Sequence, residues 1–260
     1  MYKIDRKSRS NCLFLTFNTI SNLLIGWSIT GSMNYARGYH TASVLTNGKV
    51  LVAGGYNSVS TYLNSAELYD LSTGMWTVTS SMNYARYYHT ASVLTNGQVL
   101  VTGGYNNVGG ALNTAELYDP STGSWTFVSN MNSGRYTHTA SVLANGKVLV
   151  AGYSPISTAE VYNPLANIWT IAGTMYYPRS YPTASILTNG TVLLAGGVSS
   201  NIFNTVELYD PSTATWSINY NMAYPRNYHT TSVLADGRVL VTGGTNSING
   251  YLTSSELYQS

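Results

Sequence analysis

Residues 82–106 read MNYARYYHTASVLTNGQVLVTGGYN, and residues 33–57 read MNYARGYHTASVLTNGKVLVAGGYN. The same pattern returns from Met131, Met175 and Met222. Its arginines, Arg37, Arg86, Arg135, Arg179 and Arg226, are spaced by 49, 49, 44 and 47 residues. A period near 50 that is rich in glycine and aromatic residues marks a propeller blade or a similar array.

Local signals within one repeat agree with that period. The runs HTASVL and KVLVAGG flank Asn47-Gly48, and Asn-Gly between β-rich runs marks a hairpin, with a type I′ turn and two positive-φ residues expected. A third run, SAELYD, ends at DLSTG in the first repeat, whose counterpart in the second is DPSTG; both are built from turn-forming residues. This run carries Glu67, and its equivalents carry Glu116, Glu160, Glu207 and Glu256. A fourth run opens near Trp76, Trp125, Trp169 or Trp216. No segment has helical periodicity, so the reading is all-β, with four antiparallel strands per repeat.

The glycine pairs Gly54–Gly55, Gly103–Gly104, Gly196–Gly197 and Gly243–Gly244 close the second strand, and the third repeat keeps only Gly152. Together with the Tyr of the third strand and the Trp of the fourth, these residues give residues 27–260 a resemblance to the kelch-repeat β-propellers, the group that includes galactose oxidase-like propellers. The resemblance implies four-stranded blades set radially around a channel. It also implies a non-catalytic scaffold that binds protein through one loop face.

The fifth repeat ends SSELYQS, where its Trp-bearing strand is due. Trp27, in GWSITGSM at residues 26–33, lies 49 residues before Trp76 and is in phase. The expectation is that residues 27–32 pair with the strand around 254–258 and close a ring of five blades, which would remove two open edges. The alternative is a fragment of a larger array.

The chain has 260 residues, 8% of them charged, and a formal net charge of +2. Lys3, Arg6, Lys7 and Arg9 against Asp5 place the positive excess in residues 1–26, which leaves eight basic and nine acidic residues for the rest. Such a body offers no basic surface for nucleic acid. Residues 1–26 read as a leader or the remnant of an upstream segment. The apolar run 12–27 is interrupted by Asn18, Ser21 and Asn22, and is too short to span a bilayer. Cys12 is the sole cysteine, which excludes an intrachain disulfide and favours a cytoplasmic over a secreted setting without fixing either.

Residues that repeat on every blade read as scaffold: the arginines and glutamates as paired links, the glycine pairs, and Trp27 with the other four tryptophans. His40, His89, His138 and His229 fall once per blade, with Pro182 in the fourth, and read as structural hydrogen bonds to neighbouring blades, not as a metal site. Cys12 lies outside the repeats, so the body cannot form the Tyr–Cys crosslink that the oxidase resemblance would require. No catalytic residue, metal or cofactor is expected. Binding residues should lie where the repeats diverge: in the crossings into each first strand and in the loops after each glycine pair. Tyr39, Tyr87, Tyr88, Tyr136, Tyr181 and Tyr228 in the crossings, and Tyr56 and Tyr105 in the loops, are the candidate partner-binding set. Tyrosine gives large contact area at low entropic cost. A protein is the expected partner of a monomeric propeller, and a glycan-binding module, secreted or at the cell surface, is the alternative.

Overall fold

The computed structural model describes residues 27–57, 61–153 and 157–259; the expected leader, residues 1–26, lies outside them. The described chain is an all-β propeller of five blades. Blade one consists of Thr41–Val44, Val50–Ala53, Ala66–Asp70 and Met75–Thr79. Blade two follows with Thr90–Val93, Val99–Thr102, Ala115–Asp119 and Ser124–Phe127. Blade three comprises Thr139–Val142, Val148–Ala151, Thr158–Asn163 and Ile168–Thr174. Blade four is Thr183–Ile186, Val192–Ala195, Val206–Asp210 and Thr215–Asn219. The first strands of consecutive blades touch and so line the axis.

The second strand of each blade is apolar at nearly every position because both of its faces are covered. Leu51 and Ala53 pack with Met82, Val99, Val101 and Tyr118 between blades one and two. Comparable clusters fill the other three joints. Three of the four joints also carry an imidazole: His89 Nε2 shares a hydrogen bond of 2.9 Å with Thr41 Oγ1, and His138 and His229 repeat it with Thr90 and Thr183. Between blades three and four Pro182 stands in the histidine's place, and Thr139 Oγ1 turns back to Ala151 O of its own blade.

Two sequence expectations are corrected. The Asn-Gly hairpins are not type I′: only Gly48 and its equivalents have positive φ, not the asparagines. Leu45 N–H donates to Lys49 O and Gly48 N–H to Leu45 O. The connection is thus a three-residue loop in which a tight turn is followed by a left-handed glycine. Asn47 serves instead as an acceptor, its Oδ1 holding Lys49 N–H.

The ring is also not closed by the N-terminal strand. Blade five has three strands among the described residues, Thr230–Val233, Val239–Thr242 and Ser255–Tyr258, and the last has no neighbour on its outer edge. Residues 30–31 are held by blade one instead: Gly31 N–H donates to Gly74 O, Trp76 Nε1 donates to Gly31 O, and Thr30 Oγ1 meets Tyr69 OH at 2.7 Å. These contacts copy those between Trp125 and Ser80 and between Tyr118 and Thr79. The segment therefore occupies the outer-strand place of a blade before the first, and the joints between blades do not bring the fifth blade to it.

The joints set two measurable expectations. Gly103 has φ +62° and a Cβ there would stand 2.4 Å from Arg135 O; Gly243 has the same φ, but its nearest contact would be 3.6 Å away. Gly243→Ala should cost about 1–2 kcal/mol for the left-handed backbone alone, and Gly103→Ala clearly more, read by chemical denaturation. Burial, with Arg86 and His40 nearby, pushes His89 down to about 3, and His229 falls to about 4. The unfolded chain therefore binds more protons below the ordinary histidine value near 6.5, so stability is complete above that pH and falls as pH drops towards 3. The melting temperature should decline from about pH 6.5 downwards, above the range where carboxylates protonate, and His89→Gln should flatten that decline.

Candidate functional site

Antiparallel order puts the crossings from fourth strand to first strand at the same end of each blade as the loops after the glycine pairs. The Asn-Gly hairpins lie at the other end. Each crossing is pinned by a charged tie. Arg86 Nη1 donates to Gly103 O and Thr114 O, and its Nη2 donates to Glu116 Oε1 at 2.8 Å. The Glu116 carboxylate accepts in turn from the backbone N–H groups of Asn83 and Tyr84, at 2.7 and 3.1 Å, and from the Asn83 side chain. Arg37–Glu67, Arg135–Glu160, Arg179–Glu207 and Arg226–Glu256 repeat the pair at 2.6–2.8 Å. Burial alone would raise the Glu67 carboxyl, but hydrogen bonds from Asn34, Arg37 and Tyr35 outweigh it and hold the group below its ordinary value. Each charge is paired within its own blade, although the Nε of every one of these arginines is buried without a hydrogen-bond partner among the described residues.

The residue two past each arginine has a left-handed backbone: Tyr39, Tyr88, Thr137, Tyr181 and Tyr228 all have φ of 53–54°. Non-glycine residues rarely take this conformation, and it costs of order 1 kcal/mol or more at each position. Backbone bonds between blades hold them there. Tyr88 N–H donates to Tyr39 O, Thr137 N–H to Tyr88 O, and Tyr181 N–H to Thr137 O. These bonds link blades one to four along the mouth of the channel, and the tyrosine side chains there lie against one another.

All eight candidate tyrosines fall into one continuous network. Tyr228 lies 4.4 Å from Tyr181, Tyr181 5.8 Å from Tyr88, and Tyr88 4.4 Å from Tyr39. The network runs outwards through Tyr87 to Tyr56 and Tyr105, then to Tyr136. Two members escaped the sequence reading. Tyr62 packs on Tyr87 at 5.3 Å and Tyr153 on Tyr136 at 4.2 Å. Both lie in loops whose lengths differ between repeats, and Tyr153 falls where the third repeat has lost a glycine; that loss was the available signal. Burial, with Tyr39 beside it, pushes the Tyr88 phenol up to about 12, and the Tyr153 hydroxyl with burial does the same for Tyr136. Tyr88 and Tyr136 are therefore neutral throughout the physiological range.

The network borders two hollows on this face. One, of about 270 Å³, lies on the axis among Tyr88, His89, Thr137, His138, Tyr181 and Tyr228. The other, of about 540 Å³, lies off the axis between blades three and four, lined by Tyr136, Thr137, Tyr153, Pro178, Ser180, Tyr181, Val198 and Ser199 with Arg179. Arg179 is engaged with Glu207, so the larger hollow presents rings and hydroxyls and no free charge. No cluster of three or more potential metal ligands occurs among the described residues. Because breaking a buried pair strands a charge, Glu116→Gln should destabilise the protein by about 3–5 kcal/mol, measured by urea unfolding. Replacing the exposed Asp236, whose partner is Arg238, should leave the unfolding midpoint nearly unchanged.

The KLHDC2/KLHL20/DRC7 Kelch-repeats domain matches residues 3–171, and the Kelch motif matches residues 179–218. The first match begins inside the stretch 1–26 that the sequence reading sets apart from the propeller. No curated protein matches the chain. The longer match covers more than half of the sequence, and the five-bladed architecture agrees with it: the chain belongs to the kelch-repeat propeller family.

Proposed function

We propose that this propeller is a non-catalytic scaffold that docks a protein partner on the face formed by its crossings and glycine-pair loops. Kelch-repeat propellers are typically protein-interaction scaffolds, and the proposal adds the face and the residues. The observation that carries it is the tyrosine network, whose axial members hold a costly left-handed backbone on four blades. Packing between blades does not explain that cost: Tyr39 and Tyr228 remain more than half exposed. Exposed tyrosine beside neutral hydroxyls suits a partner surface that is mixed and uncharged. Among the described residues of the face, His89, His138 and His229 are buried and held neutral, and the arginines are paired.

Capture from source cells would compare the wild type with two variants, each checked for native folding. Tyr136→Ala/Tyr153→Ala/Tyr181→Ala alters the proposed face; Asn96→Ala/Gln98→Ala/Asn145→Ala alters the opposite end. The expectation is a protein retained by the wild type and by the opposite-end variant, and reduced at least about tenfold by the tyrosine variant. Equal capture by all three would remove the tyrosine face from consideration. Retention of glycan without protein would replace this reading by the lectin-like one.

A further inference from the structure

The hairpin between the first two strands of blade four differs from its counterparts. Two residues past the asparagine or aspartate, the other four hairpins carry Lys49, Gln98, Lys147 and Arg238; blade four carries Thr191. In blades one and two this residue reaches across to the aspartate that ends the third strand. Lys49 Nζ pairs with Asp70 at 3.2 Å, and Gln98 Nε2 donates to Asp119 at 3.3 Å. The shorter Thr191 turns back instead. Its Oγ1 donates to Asn189 Oδ1 at 2.7 Å, and its N–H donates to the same oxygen at 3.0 Å. Asp210, the counterpart of Asp70, is left with bonds inside its own turn, to Ser212.

The result is an exposed asparagine whose amide nitrogen is available beside open space. Asn189 is exposed, and its Nδ2 donates no hydrogen bond among the described residues, in contrast to Asn96 Nδ2, which donates to Gln98 Oε1. A hollow of about 490 Å³ adjoins it between the hairpins of blades three and four, lined also by Ala144, Asn145, Asp210, Pro211 and Ser212. Asp210 offers an acceptor there, Asn145 offers both donor and acceptor, and Ala144 and Pro211 form an apolar wall. Such a mixture suits a sugar ring, which has hydroxyls on its rim and C–H groups on its faces. Asn189-Gly190-Thr191 is also the only triplet in the sequence with asparagine, a residue other than proline, and serine or threonine in that order. That triplet is the acceptor for an N-linked glycan.

We propose that Asn189 is a site of N-linked glycosylation and that the first sugar sits in this hollow. Asn189 Nδ2 bonds to the anomeric carbon of an oligosaccharide carried on a polyprenyl diphosphate. The bond from that carbon to the diphosphate oxygen breaks, the polyprenyl diphosphate leaves, and the nitrogen gives up one proton; nothing is oxidised or reduced. The amide nitrogen breaks no bond within the hairpin to do this, and Thr191 already lies against the same amide. The modification places the chain on the secretory route, a setting that a chain without disulfides leaves open. The hairpins lie at the opposite end from the tyrosine network, so the glycan leaves that face uncovered. The inference is therefore independent of the proposed docking of a protein.

The test is mass spectrometry of the protein isolated from its source cells. Cleavage after Arg179 and Arg226 releases residues 180–226 as one peptide with Asn189 inside it. That peptide should carry the mass of an oligosaccharide, and a peptide N-glycosidase acting in heavy-oxygen water should remove it and leave a labelled aspartate at position 189. Asn189→Gln and Thr191→Ala should each abolish attachment, and either variant suffices if the other fails to fold. With the glycan trimmed to its first sugar, nuclear Overhauser contacts are expected from the sugar to Ala144 or Pro211. An unmodified peptide from the source cells, or a sugar mass that survives both substitutions, would overturn the proposal. Attachment at Asn189 without contact to Ala144 or Pro211 would overturn the seating in the hollow.

Discussion

A buried guanidinium facing a buried carboxylate organises this molecule. Neither charge could be left alone inside a blade, since an unpaired buried charge costs several kcal/mol. The geometry therefore makes each partner serve several groups. Arg86 ties the end of the second strand and the start of the third to Glu116, and Glu116 collects the N–H groups of the incoming crossing. Where the chain leaves one blade and enters the next is thus fixed by charge-assisted bonds, not by the length of the loop. That is why the third repeat can be five residues shorter between arginines and keep the same pair.

From those fixed crossings the rest of the face follows. The arginine sets the backbone, and two residues later the chain must turn through a left-handed conformation to deliver its histidine or Pro182 to the preceding blade. Glycine would take that position at lower cost; four of the five blades carry tyrosine. Inter-blade N–H to C=O bonds run through this residue on blades one to four, so the scaffold and the row of phenols are parts of one construction.

The fold was legible because its signals are periodic. Glycine pairs, in-phase tryptophans and one glutamate per third strand can be read in any one-dimensional string, and they name strands, turns and repeats. The Arg–Glu links were legible for the same reason, since five of only ten acidic residues sit at one repeat position. What escaped is what depends on curvature. Whether Trp27 reaches Tyr258 is decided by small rotations at four successive joints, and no single residue reports their sum. The Asn-Gly turns misled for a local reason: Thr46 joins the loop, so asparagine acts as an acceptor and glycine alone goes left-handed. Tyr62 aligns with Ala111 and Tyr251, and Tyr153 follows the lone Gly152, so neither position repeats as tyrosine on every blade and a periodic reading passes over both.

One joint differs from the others. Between blades three and four a proline ring replaces the imidazole, Gly152 stands without its twin, and Thr139 bonds within its own blade. The remaining three joints use the same His–Thr bond and nearly the same apolar residues, so their faces are close to interchangeable while the chain is still assembling. An array of near-identical blades can skip a neighbour or exchange one with another molecule. The proline joint accepts only its own counterpart without losing a hydrogen bond. It therefore acts as an address within the array, dividing five similar units into a group of three and a group of two whose order cannot be permuted at equal energy.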